Sequence, residues 1–256
     1  MEYFVEKRSI VREIWSKGDT ILFIFAGASA EFALNKAVDW LYFTGKLPAD
    51  PLGRLFSTVS YARNIVFLKK DAACKAIDKV TAIHSSVEMN RGSSIPDWAY
   101  RDVLFMLIHY SIASFELLER KLTLKEKEEV FDVFHRFGLQ MNLHGLPVNF
   151  NDWVIMRNDH LDKHLEKSIY TMDLYKQYKK HLGRIRYKLL LEGQILVVPK
   201  QVNKLLQLGK FSMLGSVLIL YKLFRKIKID WLIKSLILPD KYKNEIRALD
   251  TIPPDE

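Results

Sequence analysis

Asp50-Pro51-Leu52-Gly53-Arg54-Leu55-Phe56-Ser57-Thr58 opens a stretch that crosses Lys69-Lys70-Asp71 and ends in Ala82-Ile83-His84-Ser85-Ser86-Val87. Asp50 is a natural N-cap. Pro51 falls at the first helical position, where its missing N–H costs nothing. Arg54 and Thr58 are four residues apart and share a helix face, which Tyr61 and Ile65 continue. After the break, His84 follows Ala73, Ile77 and Val80 at helical spacing, so the imidazole belongs to the face expected to be buried. Two successive helices thus bring an Arg, a Thr and a His toward one pocket.

The rest of the chain repeats this helical grammar. Met1 to Trp15 reads as a short amphipathic helix ended at Gly18, with Asp19 or Thr20 capping the next. Thr20 to Phe43 reads as one long central helix, apolar nearly all round, in which Gly27-Ala28-Ser29-Ala30 allows a neighbouring helix or a flat ligand to come close. Asn90 to Pro96 is a loop, and Asp97 to Arg120 a long apolar helix bearing His109. Thr123-Leu124-Lys125-Glu126 is a capping box opening a helix to about Leu143, which His144-Gly145-Leu146-Pro147 ends. Asn149 to Tyr178 gives one or two more helices. Leu191 to Val198 is strand-like, but a lone strand has no partner, so it reads as a buried loop or helix end. Asn-Gly and Asp-Gly hairpin signals are absent. The expectation is an all-α fold, one domain over 1–256 of about ten helices, with a core over 20–170 and basic helices over 174–249 packed on it.

Composition narrows the function. Apolar residues make up 49% of 256, ample for a packed core. The single cysteine, Cys74, excludes an internal disulfide and a Cys-rich metal site, and fits a reducing compartment, most simply the cytoplasm. The charged N-terminus does not read as a secretory signal, and no apolar run approaches the ~20 residues of a membrane span. The net charge of +9 is concentrated: Leu174 to Arg247 holds 17 Lys and Arg against 4 Asp and Glu, and the remainder is net −4. Lys222, Arg225, Lys226 and Lys228 alternate with Leu223, Phe224, Ile227 and Ile229, a pattern suited to peripheral contact with an anionic membrane. Nucleic acid is not expected as a partner, because aromatic residues there sit at core-like spacing.

Among chemistry-bearing patterns, phosphate-binding glycine loops, His-Glu-x-x-His and Gly-x-Ser-x-Gly are absent. His160-x-x-x-His164 has metal-ligand spacing, but Asp159, Asp162, Lys163, Glu166 and Lys167 around it describe a solvated face. Glu116 and Glu119 with Asp132-x-x-His135 lack the paired Glu-x-x-His of di-iron bundles. His84 and His109 lie on apolar faces, where an imidazole is either a hydrogen-bonded core residue or a ligand to a buried cofactor such as haem.

The ordered set Gly18-Asp19, Asp50-Pro51-Leu52-Gly53-Arg54 with Thr58, Val80-Thr81-Ala82-Ile83-His84-Ser85-Ser86-Val87, Leu122-Thr123 with Glu126, Leu143-His144-Gly145-Leu146-Pro147 and Leu236-Ile237-Leu238-Pro239 resembles the rubber oxygenases (latex-clearing proteins) and mpaB-type oxygenases. The resemblance implies an all-helical, globin-like architecture around haem b, with dioxygen and an apolar or lipid-like small molecule as partners. It implies His84 as the axial iron ligand, Arg54 and Thr58 as catalytic residues lining the haem cavity, and His109 as a further cofactor-pocket residue. Lys36-Ala37-Val38 stands where many members carry His-Pro, and Ser57 where some carry Lys. The competing expectation is a non-catalytic helical protein that binds anionic membranes through its basic C-terminal third.

Overall fold

A computed structural model describes residues 2–45 and 49–226, with the backbone alone at 55, 56, 219, 220 and 223–226. Among the described residues there are eleven helices: α1 (Ile10–Trp15), α2 (Gly18–Phe32), α3 (Asp39–Phe43), α4 (Pro51–Phe67), α5 (Lys70–Arg91), α6 (Asp97–Leu118), α7 (Leu124–Gln140), α8 (Phe150–Lys163), α9 (Ile169–Val197), α10 (Lys200–Leu206) and α11 (Met213–Lys226). No strand is present among them, so the all-α expectation holds. Leu191 to Val197 is the end of α9.

The centre of the fold is α2, packed against α6 on one side and α9 on another. Its Ile21, Ile24, Phe25 and Ala30 are buried, consistent with a helix apolar nearly all round. Gly27 is where α6 comes closest. A Cβ there would fall within the Tyr110 ring, so the small-residue run serves helix packing at this point. Polar contacts fasten α9 to the same helix: Gln194 Nε2 donates to Ser29 Oγ at 3.0 Å, and Thr171 Oγ1 donates to the Ala33 carbonyl at 2.7 Å. Within α9, Gly183 at φ 71° breaks the regular backbone, in a region where a side chain would be strained.

Three boundaries differ from the sequence expectation. Residues 2–9 are not a helix; Tyr3 instead bridges to Lys69, and α1 begins only after Ser9, whose hydroxyl caps it. Gly18 already lies in α2, so Asp19 and Thr20 are first-turn residues and not caps. The long helix expected over Thr20 to Phe43 ends at Phe32. There the Asn35 side chain accepts from Ala37 N at 2.8 Å, while Leu34 and Lys36 exchange backbone bonds with Glu166 and His164. A local side-chain bond and a tertiary backbone ladder together replace continued helix.

The other punctuation reads as expected. Asp50 accepts from Gly53 N at 3.1 Å with Pro51 following it, and the Thr123–Glu126 capping box is closed in both directions. No helix among the described residues is long and apolar enough to cross a membrane. Leu236-Ile237-Leu238-Pro239 and the basic residues from 227 onward lie outside the described residues.

Candidate functional site

Arg54 and Thr58 project from the first turns of α4 into a half-buried position. The Arg54 guanidinium donates to Ser57 Oγ at 3.2 Å and Thr58 Oγ1 at 3.3 Å, and both hydroxyls donate back to the Arg54 carbonyl. Each hydroxyl therefore spends its one proton on the backbone and offers its lone pairs to the guanidinium. No carboxylate pairs with Arg54 among the described residues, and burial lowers its pKa from the usual arginine value. Tyr61, expected on the same buried face, is 46% exposed.

His84 lies on α5 beyond the buried Ala73 and Ile77, in the less enclosed half of the helix. It is half-buried, and its ring meets Tyr100 edge-on at 5.2 Å. Burial first, and then the Arg54 charge, hold its pKa below the ordinary imidazole value, against the opposing pull of Glu88 one turn on. Its Nδ1 is buried with no hydrogen-bond partner among the described residues. Glu88 is itself fixed, accepting from Ile95 N at 2.7 Å and from the Tyr100 hydroxyl at 3.2 Å. Among the described residues, the chain thus gathers a neutral imidazole with a bare nitrogen and a cation without a counter-ion.

His109 belongs to a different neighbourhood. Its imidazole is enclosed between α6 and the end of α9, where it is hydrogen-bonded to the Val197 backbone, while one edge of the residue stays accessible. Burial, with the Arg157 charge adding to it, lowers its pKa to about 4 despite Glu31. The sequence grouped His109 with His84; the contacts place it beside a buried polar cluster that the sequence did not assemble.

That cluster ties α2, α6 and α8 together. Arg157 pairs both guanidinium NH2 groups with the two oxygens of Glu31, and Tyr110 donates to Glu31 Oε2 at 2.7 Å. Asp102 accepts from Asn35 Nδ2 through Oδ2, and Arg157 Nη1 stands 3.4 Å from its Oδ1. His160 Nε2 lies 2.5 Å from the same Oδ1, a close approach without hydrogen-bond geometry. Burial pushes the Asp102 carboxyl up. Burial also pulls Glu31 up, but Arg157 and Tyr110 outweigh it and hold Glu31 below the usual value.

The solvated face expected around His160 is corrected here: Asp159, Asp162 and Lys163 are exposed, whereas His160 is buried and turned inward. His160 and His164 stack face to face at 5.1 Å, with Trp98 stacked on His164 at 4.2 Å, which does not converge their nitrogens on one ion. Donor atoms of Glu31, Asp102 and His160 do lie within 4.8 Å of one another, but Arg157 already occupies both Glu31 oxygens. The signal that could have found this cluster is a charge inside an apolar run: Glu31 within Ala26 to Leu34, and Asp102 ahead of Val103 to Ile108. The di-iron-like residues are surface pairs, Glu116 with Lys121 and Lys127, and Glu119 with Lys17.

Residues 15–208 match the family described as ER-bound oxygenase mpaB/B'/Rubber oxygenase, catalytic domain. The matched segment contains α2 to α10, with Arg54, Thr58, His84 and His109 inside it. No curated protein and no solved structure matches the chain.

Proposed function

The chain belongs to the mpaB/B' and rubber oxygenase catalytic-domain family, which makes it an oxygenase, and we propose that it works with haem b, with His84 as the protein ligand to iron. The reading of a non-catalytic protein is set aside by that membership. What carries the haem assignment is the orphaned, buried Nδ1 of a neutral His84, beside Arg54 with no carboxylate partner among the described residues. A ligating imidazole must offer a lone pair, and its depressed pKa keeps that pair free at neutral pH. A half-buried guanidinium without a counter-ion suits a haem propionate.

When bound, haem supplies the site at which dioxygen is taken up and its oxidising power directed at an apolar substrate. The protein's part is arrangement. His84 would hold the iron. Arg54 would neutralise a propionate or polarise the pocket, steadied by Ser57 and Thr58 on its own helix. Glu88, four residues after His84, adds negative charge that raises the basicity of the ligand. His109 stands apart from Arg54 and His84, beside Arg157 and Glu31, and is given no role toward the cofactor.

The test is an absorption spectrum of the purified chain before and after addition of haemin, beside His84→Ala. A Soret band at about one haem per chain in the parent, lost in the variant, is the expected result. A parent that takes up no haem, or a variant that retains it unchanged, overturns the assignment.

We propose in addition that the enzyme rests on anionic membrane through its basic C-terminal third. Around α11, Phe211 is 89% and Met213 69% exposed, with Lys210 beside them. Apolar side chains offered to solvent next to lysines suit a lipid interface. Co-sedimentation with anionic vesicles, lost at high salt and absent with neutral vesicles, is the expected outcome.

A further inference from the structure

At Gly183, α9 turns a corner. The residue has φ 71° and ψ 178°, outside helical space, and nothing lies within 4 Å of where its Cβ would stand. Close packing does not require a glycine here; the change of direction does. Both arms of the corner are anchored. Leu174 and Tyr178 are buried on the first arm, and Gly193, Gln194 and Val197 on the second. Leu182, Tyr187 and Leu190 pack partly buried against the core. Between them Gly183, Arg184 and Ile185 face solvent, and Ile185 is 79% exposed. The fold thus holds an isoleucine out at the tip of a fixed bend.

Charge gathers around that tip. From Leu174 to Leu191 the chain has six lysines and arginines, Lys176, Lys179, Lys180, Arg184, Arg186 and Lys188, and no aspartate or glutamate. All of them except Arg186 are exposed. The acids that flank the run are engaged by other groups. Asp173 accepts from the Tyr42 hydroxyl at 2.9 Å, and Glu192 accepts from Ser212 Oγ at 2.8 Å and Met213 N at 2.6 Å. The Lys188 charge acts on Glu192 without closing a bridge to it. None of the six cations makes an ion pair or a side-chain hydrogen bond among the described residues. Lys17, Lys70, Arg91, Arg120 and Arg136, by contrast, all close salt bridges. Lys176 with Lys180, and Arg184 with Lys188, are four residues apart, where like charges on a helix repel. Cations set around an apolar tip at that cost suit an anionic surface brought up to them.

We propose that the Gly183 corner of α9 is the point at which the enzyme attaches to anionic lipid, an assignment that rests on the membrane contact proposed above and locates it on a different element. Ile185 enters the headgroup layer, and the cations on both arms meet anionic headgroups around it. A bilayer receives cations that fan out around a bend, because its charge is spread over a surface and demands no matched positions. An acidic protein is the poorer fit. The centres of protein interfaces are rich in aromatic residues and poor in lysine. The tip from Gly183 to Arg186 has no aromatic residue, and lysines surround it.

The experiment is co-sedimentation of the full chain with vesicles of phosphatidylcholine alone and of phosphatidylcholine with phosphatidylserine. The parent is compared with the triple variant Lys179→Gln, Lys180→Gln, Arg184→Gln, with Ile185→Ser, and with Phe211→Ser at the start of α11. The substituted side chains are exposed, so unfolding midpoints stay at the parental value. On the anionic vesicles the triple variant should lose on the order of a hundredfold in partitioning, and Ile185→Ser about tenfold. No protein should sediment with the neutral vesicles. A parent that ignores anionic vesicles overturns the membrane reading and this assignment together. A parent that binds, with loss only in Phe211→Ser, overturns this assignment alone. Loss in the triple variant with Ile185→Ser unchanged also overturns it; capture of the parent by polyglutamate would then identify an acidic protein as the partner.

Discussion

Arg157 on α8 closes on both carboxylate oxygens of Glu31 on α2, with 3% of the arginine side chain's residue surface and none of the glutamate's exposed to solvent. The pair spans 126 residues of sequence and joins two helices of the fold's centre. Such a pair says little about net stability when intact, because desolvation of both ions offsets their attraction, but breaking it leaves one charge buried alone.

Arg157→Met therefore destabilises by ~3–5 kcal/mol, since it strands Glu31. The double variant Arg157→Met with Glu31→Gln recovers part of that loss. Denaturant unfolding of the two single variants and the double variant measures the coupling; purely additive losses would refute the pairing.

Gly27→Ala drives a methyl group into the Tyr110 ring and costs ~1–3 kcal/mol by overpacking. Gly193→Ala is the matched control, because its added Cβ meets Ala26 and Phe23 at an ordinary 3.7 Å. Thermal unfolding of the pair should show a large drop for the first and little change or a gain for the second.

Thr123→Ala removes the hydroxyl that accepts from Glu126 N at the start of α7 and costs ~1 kcal/mol. Thr123→Ser, which keeps the acceptor, restores most of it. Unfolding midpoints at constant denaturant slope decide the matter.

His109 is held neutral, with its pKa down at about 4, by burial and by Arg157. A depressed imidazole pKa means that the unfolded chain binds the proton first. Its contribution to stability is present above pH 6.5 and is lost as pH falls from 6.5 toward 4. His109→Asn should flatten that part of the stability curve. An unchanged acid limb would show that His109 titrates normally.

The cadence of helices was legible in local chemistry. Asp50-Pro51 and Thr123 with Glu126 start helices through bonds made within a few residues, and the structure keeps both, whereas α7 ends at Gln140, ahead of His144-Gly145-Leu146-Pro147, through backbone bonds of Met141 to Leu143. The neighbourhood of Arg54 and His84 was legible because motif order and helical spacing both pointed there. The expected helix through Phe43 failed at Asn35, whose decisive partners, Asp102 and the α8 end, are 67 residues or more away.

The sequence by itself determined the all-α class, the helix punctuation and the family, since these rest on periodicity, caps and ordered motifs within short reach of each residue. Only the tertiary structure decided that His160 faces inward, that His109 sits with Glu31 and Arg157, and that Asp102 is buried among Asn35, Arg157 and His160. The physical reason is desolvation. A charged residue in sequence is read as solvated by its charged neighbours, and only the packing of α2, α6 and α8 shows which charges have been taken out of water and what balances them.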